Sequence, residues 1–420
     1  MSPGTSFSCM DDFDPGSITP DQATEHIQSA IRPVVETETV PTMEALDRVL
    51  AAEARSGINV PGHTNSAMDG YAVRGQDLPS GPPETFTLIG SSFAGHPYDG
   101  TVGAGECVRI MTGGVMPDST DTVVIQEHVR ALGDTEVEIP AGEKPGQNVR
   151  AAGEDIAAGN VILEPGHPIG PADLGLLASV GIAEVSVLRR LRVAFFSTGD
   201  ELREVGEPLE DGHIYNSNRY TLSAMLRRLH IDALDLGVVR DDRVAVMQAF
   251  RDASEQADMV ITSGGVSVGE ADYVKDVLGE LGDVRFWKVA IKPGRPLAFG
   301  QIGPAKFFGL PGNPVSVMVT FYQFVRPALL RMAGMAEQPP LVLRVPVTSP
   351  LRKRQGRVEY QRGILRQAQD GSHTVACTGA QGSGILTSMS QANCFIVLPM
   401  ERSNVQEGEM VEVIPFSGIT

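Results

Sequence analysis

Between residues 189 and 334 strand-like runs alternate with helical ones, and this alternation limits the possible folds more than any other feature. Residues 192–196 read as a strand ending in Ser197-Thr198-Gly199-Asp200-Glu201. Residues 217–229 carry Leu222, Met225, Leu226 and Leu229 at helical spacing. A second strand over 233–239 ends in Arg240-Asp241-Asp242, and residues 243–256 read as a helix. A third strand over 259–262 leads into Ser263-Gly264-Gly265-Val266-Ser267-Val268-Gly269-Glu270, followed by a helix over 271–281. A fourth, over 307–310, ends in Pro311-Gly312-Asn313-Pro314 and enters a long apolar helix reaching about Met332. Four such alternations predict a doubly wound parallel sheet covered on both faces. Ligands of such sheets sit beyond the carboxyl ends of the strands, so the loops after them are the candidate functional loops.

The flanking sequence changes class. Residues 1–17 read as a disordered acidic tail with Asp11, Asp12 and Asp14. Thr19-Pro20-Asp21-Gln22 is a capping-box start for a helix running to about Ile31. Thr42 caps a second expected helix, with Met43, Leu46, Val49 and Leu50 at helical spacing. Residues 18–60 and 151–188 are assigned together to an elongated helical linker domain. Short β-like runs punctuated by Gly and Pro make 61–150 a β-rich domain, and five short runs fit a small β-barrel or sandwich, assigned as a C-terminal β-barrel domain over 335–420. The expected whole is multidomain, α/β plus β.

Charge and composition exclude several classes. Lys and Arg number 34 against 52 Asp and Glu, a net charge of −18, which argues against a general nucleic-acid binder. No apolar run approaches the roughly 18–20 residues that span a bilayer, so no membrane association is expected. Cys9, Cys107, Cys377 and Cys394 form no Cys-x-x-Cys pair, and no His-Glu-x-x-His occurs. No basic and apolar leader is visible at the start, which makes the cytoplasm the default location.

Four constellations bear on chemistry. The Ser263–Gly269 loop lets backbone approach an anion closely, although the same segment also reads as a plain strand–helix turn. Pro311-Gly312-Asn313-Pro314 reads as a helix start with Asn313 as N-cap and Pro314 at the first position. Carboxylates follow the strand ends: Asp200 and Glu201, Asp241 and Asp242, Glu270 and Asp272. Beside a phosphate-binding loop they suit Mg²⁺, which takes one or two carboxylates plus phosphate oxygens and water. Each alone reads equally as a cap or a solvated loop charge. Only six lysines occur in the chain, and Lys288 and Lys292 flank a β-like segment whose period of two puts both on one face. With Arg295 they form a positive patch suited to phosphate or another oxyanion; a solvated edge strand is the plainer reading.

Taken together these segments resemble the molybdopterin molybdenumtransferases, the MoeA family, which includes the E domain of gephyrin and its plant counterpart. The resemblance is carried by residues 65–73, 109–127 around Thr112-Gly113-Gly114, Gly153-Glu154-Asp155-Ile156, 197–202, 261–275, 288–296 and 309–315, with 356–365 and 382–386 in the C-terminal module. It runs in order from about residue 18 to 415. It implies the last step of molybdenum cofactor synthesis: adenylated molybdopterin and molybdate bind, the adenylate is cleaved with Mg²⁺ to release AMP, and molybdenum enters the dithiolene. By motif matching, Glu201, Asp241 and Asp272 would serve the Mg²⁺–pyrophosphate region. Lys288 and Lys292 would hold phosphate or developing negative charge. Asp69, Thr112 and Asp155 would join the catalytic set. Ser263, Gly264, Gly265, Ser267, Gly269, Arg295, Pro311, Gly312, Asn313 and Pro314 would bind substrate, and Arg362 and Ser383 would take the molybdate. The resemblance further implies an elongated homodimer with the site between subunits, and contacts with molybdopterin adenylyltransferase and with molybdoenzyme targets. One departure is His63-Thr64, where the family commonly has Phe-Asp before Asn-Ser. Other readings are a tungstate-handling paralogue, a molybdopterin adenylyltransferase, which would lack the modules at 61–150 and 341–420, and a non-enzymatic scaffold.

Overall fold

The computed structural model describes residues 16–265, 273–335 and 339–418. The expected acidic tail falls almost wholly outside them. The chain divides into two compact units, one of residues 1–37 with 188–420 and one of residues 38–187. The second is therefore an insertion in the first.

The enclosing unit is built on a six-stranded sheet. Its strands are β1 (Arg192–Thr198), β2 (Asp232–Val239), β3 (Met259–Ser263), β4 (Gly282–Lys288), β5 (Pro296–Ile302) and β6 (Ala305–Leu310). Their order is β2-β1-β3-β6-β5-β4. The four strands from β2 to β6 are parallel, as expected, whereas β5 and β4 are antiparallel additions that the sequence reading had not separated. Helices α1 (Pro20–Ala30), α2 (Ser217–Arg228) and α5 (Pro314–Thr320) contribute to the core on one face, where Ile27, Leu222 and Val317 pack with Phe195, Ile261 and Phe308. Helices α3 (Arg243–Gln256) and α4 (Tyr273–Leu281) cover the other, with Phe250 and Val277 against Phe196 and Phe307. Strands β1 and β3 read as unbroken apolar runs because both of their faces are buried.

Two further results qualify the reading. The helix expected to run to Met332 does so, but with a π-turn over Phe321–Val325 between α5 and α6 (Arg326–Met332). Pro327 lies just beyond that turn and cannot donate the next helical hydrogen bond. Helix α1, which had been grouped with the linker domain, instead packs Ala23 and Ile27 into the core of the enclosing unit.

The C-terminal module of the same unit is an antiparallel sheet whose strands run Val358–Gln367, Cys394–Leu398, Met410–Pro415 and Leu343–Pro346 in spatial order, with His373–Cys377 on the free side of the first. A bridge from Val347 to Val375 joins the two ends and closes the ring. The expected barrel is therefore present. Ile291–Lys292 also pairs with Val358–Glu359, so the chain leaving β4 joins this second sheet before returning to β5.

In the inserted unit another six-stranded sheet spans residues 70–139, with Tyr71, Phe86, Cys107 and Val137 in its core. Residues from both flanks form a separate core around Leu50, Ala54, Leu163, Leu177 and Val187. The helix expected after Thr42 is absent. Only a 3₁₀ turn, Thr42–Glu44, forms, and Asp47 at φ 60° ends any continuation. Val49 and Leu50 instead make strand bridges to Pro168 and Val187. Met43 is 87% exposed while Leu50 is 1% exposed, so the apparent helical spacing described no real face.

Candidate functional site

At the carboxyl ends of β1, β3 and β6 three loops come together in the enclosing unit. Gly264 and Gly265 lie at φ +92° and +69°, and a Cβ on Gly264 would stand 2.7 Å from the Thr198 carbonyl oxygen. Glycine is required there by both conformation and space. Gly264 N donates to the Leu310 carbonyl at 3.1 Å, and the Gly312 position lies against the Gly264 backbone. Ser263 Oγ is 2.8 Å from Ser197 Oγ, which donates to Asn216 Oδ1 at 3.2 Å. Asn218 Nδ2 donates to the Gly312 carbonyl at 2.7 Å. Asn216 Nδ2, Asn218 Oδ1 and Thr262 Oγ1 are buried and have no hydrogen-bond partner. Buried polar atoms in this state are available to a polar ligand or to water. The sequence had offered no signal for the two asparagines, since Asn216 is also the N-cap of α2.

Asn313 occupies the N-cap position of α5, as expected, yet its side chain makes no capping hydrogen bond. It lines a cavity of about 540 Å³ with Pro311, Gly312 and Ser316 on one side and Gln381, Gly382 and Ser383 on the other. Val315 N donates to the Ser383 carbonyl at 3.0 Å, which ties the barrel loop to the start of the helix. Lys292, Arg295, Arg354 and Arg357 also line the cavity, and among the described residues no carboxylate does. Arg354 and Arg357 were missed in the sequence because Arg354 sits in a basic run, Arg352-Lys353-Arg354, and Arg357 follows it just past Gly356, so the stretch reads as an ordinary solvated turn.

The lysine pair is not arranged as expected. Lys288 ends β4 and Lys292 lies on the segment that pairs with the barrel, so they belong to different sheets and the period-two argument fails. Lys292 Nζ donates to Glu359 Oε1 at 3.2 Å. Glu359 is 3% exposed and also accepts from Gln361 Nε2 at 3.0 Å. The buried carboxylate thus holds the lysine at the cavity wall.

Arg362 is 1% exposed and does not line the cavity. Its guanidinium donates to Ser388 Oγ at 3.1 Å, the Tyr360 carbonyl at 3.3 Å and the Gly382 carbonyl at 3.2 Å. Burial pushes its pKa down to about 10. It lies behind the Gly382–Ser383 wall rather than on the cavity surface.

Of the carboxylates, Asp242 serves as the N-cap of α3, accepting from Ala245 N at 2.9 Å. Asp241 remains in the loop before it, with its N–H 3.4 Å from Asp200 Oδ1. Glu201 is exposed and its carboxylate packs over Gly199. Ser267, Gly269 and Asp272 lie outside the described residues. Among the described residues no three His, Cys, Asp or Glu side chains are grouped as a metal cage.

In the inserted unit, Asp69 Oδ1 accepts both the backbone N–H and the hydroxyl of Thr112 at 2.8 Å. Those two bonds, with Arg109 nearby, hold the Asp69 carboxyl below its ordinary pKa. A depressed carboxylate pKa is a charge kept at lower pH and lost only as pH falls through the folded value. Replacing Thr112 with Val removes the hydroxyl donor, so the Asp69 titration should move upward, as read by carboxyl ¹³C NMR; an unmoved midpoint would refute this pairing. Asp155 is exposed, on a turn whose backbone N–H meets the Val60 carbonyl at 3.1 Å.

Residues 18–181 match the MoeA N-terminal region (domain I and II), 194–331 the probable molybdopterin binding domain, and 344–416 the MoeA C-terminal region (domain IV). The chain is 46% identical to a molybdopterin molybdenumtransferase of Haemophilus influenzae over 95% of its own length and 99% of the relative's. It is 36% identical to a molybdopterin molybdenumtransferase of a Nostoc species, covering 90% and 88%. A crystal structure of a molybdopterin biosynthesis MoeA protein from Pyrococcus horikoshii superposes with a TM-score of 0.78 at 32% identity, over 95% of this chain and 99% of that one.

Proposed function

Because the chain belongs to the family of molybdopterin molybdenumtransferases, transferases of molybdenum cofactor biosynthesis, we propose how its own residues divide that reaction. The carboxyl-end loops of β1, β3 and β6 grip the phosphate-bearing pterin, and the cation-lined cavity receives molybdate. The observation that carries this reading is the cavity wall: among the described residues, four cations and no carboxylate line it, from both the α/β sheet and the barrel. In a chain of net charge −18 such a concentration selects an oxyanion locally.

Backbone at Gly264, Gly265 and Gly312 approaches the ligand's phosphates, with Ser263 and Asn313 beside them. Asn216 and Asn218 offer an unpaired donor and acceptor to the pterin or its phosphate. Lys288, Lys292 and Arg295 neutralise charge that develops as the adenylate leaves. Ser383 meets molybdate directly, and Arg362 reaches it through the wall it supports. Asp69, Thr112 and Asp155, on the inserted unit, complete the catalytic set.

Glu201 and Asp241, with Asp272, would hold Mg²⁺. The donors are hard oxygens, and the ion needs only one or two protein carboxylates when phosphate supplies the rest. When bound it neutralises phosphate charge. AMP release should therefore stop in EDTA and return on adding Mg²⁺, measured with adenylated molybdopterin; release unchanged in EDTA would remove these carboxylates from that role.

We further propose that the enzyme acts in the cytoplasm as a homodimer, docking with an adenylyltransferase and with recipient molybdoenzymes. Light scattering should give about twice the 44.7 kDa chain mass, and a fully active monomer would refute the dimer. Molybdate and tungstate differ too little for these side chains to separate them, and an insertion assay with each in turn decides the preference.

A further inference from the structure

At the outer corner of the α/β sheet, away from the carboxyl-end loops, lies a second cavity of about 570 Å³. Strand register explains its composition. Arg285 pairs with Phe299, and Asp283 pairs with Gln301, which in turn pairs with Lys306. Side chains two residues apart share a face, so Trp287, Arg285, Phe299, Gln301 and Lys306 all face one way. An aromatic row comes first: Trp287 lies 5.8 Å from Phe299 on one side and 5.8 Å from His26 of α1 on the other, both tilted by about a third of a right angle. One pleat repeat further along, about 7 Å away, comes a polar row of Gln301 and Lys306, where Lys306 Nζ donates to Gln301 Oε1 at 2.8 Å. Only one of the three ammonium protons is used in that bond. The Lys306 pKa is lowered by burial and by the charge of Arg32, so an anion would relieve it. Among the described residues Asp283 is the one carboxylate of the lining, which also holds two cations, Lys306 and Arg285.

We propose that this cavity is a separate binding site for a small ligand pairing a planar aromatic ring with a phosphate, of the mononucleotide class. The ring lies against Trp287 and His26, and the phosphate reaches Lys306 and Arg285. The site does not depend on the functional reading above. Lys306 is at the amino end of β6, whereas the cation-lined cavity lies past its carboxyl end at Leu310.

The test is direct because Trp287 is the only tryptophan in the chain. AMP titrated into the full-length protein should quench tryptophan emission saturably, while inorganic phosphate, lacking a ring, should not. Lys306→Gln should raise the half-saturating concentration about ten- to a hundredfold. Arg285→Ala, at an exposed position, should also weaken the response and carries the test if Lys306→Gln fails to fold. Ser383→Ala, in the other cavity, should leave the titration unchanged. Flat emission with AMP, quenching indifferent to both cation variants, or quenching abolished by Ser383→Ala would each overturn the proposal.

Discussion

Arg357→Glu should reduce molybdate insertion by about a hundredfold or more while the protein stays folded. Arg357 lines a cavity that also holds Lys292, Arg295 and Arg354 and, among the described residues, no carboxylate. A charge-assisted contact to an oxyanion is worth roughly 1.5–3 kcal/mol, and reversing the sign both removes that contact and adds repulsion. Arg357 is only partly buried, so the new side chain can turn toward solvent and the fold should survive. The loss should appear as a raised molybdate requirement, with affinity for the adenylated pterin changed far less, because that ligand is assigned to the loops after β1, β3 and β6. Insertion kinetics against molybdate concentration would separate the two, and an unchanged molybdate dependence would take the cavity out of this role.

Arg362→Ala should behave differently, with stability lost first. The side chain is 1% exposed and donates to three acceptors on two different segments. Truncation leaves a large hole and takes a donor from the Tyr360 and Gly382 carbonyls, while the Ser388 hydroxyl keeps its bond to the Ile385 carbonyl at 2.7 Å. Large-to-small core changes and buried unsatisfied polar groups together place the cost at roughly 2–5 kcal/mol. Lysine should not rescue it, since an ammonium on a flexible stem cannot copy a planar fork aimed at three acceptors. Hydrogen exchange across residues 344–416 should show the barrel opening early. Full protection with a selective molybdate defect would instead mean that the guanidinium acts only on the ligand.

These two arginines show where sequence was legible and where it was not. Strand–helix alternation reports burial on both sheet faces directly, so β1, β3, β6 and helix α3 could be read almost residue by residue. The loops after them were legible because glycine at a strand end signals close backbone approach, and Gly264 and Gly265 do adopt left-handed conformations. Burial of a single long polar side chain has no such local signature. Arg362 and Arg357 both lie in Gly356–Leu365, yet one props a wall from behind while the other faces the cavity. Lys288 and Lys292 were misplaced for a related reason: which sheet a short segment joins depends on partners nearly seventy residues away at Val358 and Glu359. The spurious helix after Thr42 arose because a three- to four-residue apolar spacing can be shared by a bridge, a turn and a bridge. Asp69 and Thr112, by contrast, stand 43 residues apart and still meet, at the distance and through the two bonds that a carboxylate needs.

The insertion of residues 38–187 into the enclosing unit also has a consequence for biogenesis. A ribosome delivers α1 first, but the strands that bury Ala23 and Ile27 begin only at Arg192. Everything the inserted unit needs has been made by Val187, before any strand of the enclosing sheet exists. Vectorial synthesis therefore lets the later segment of the gene product mature first, while the opening helix waits with its apolar stripe uncovered. Loop-closure entropy over that interval grows only with the logarithm of its length, and a folded insertion shortens it to the gap between Thr37 and Leu188. An inserted unit that folds first would bring the two halves of its host within reach of each other.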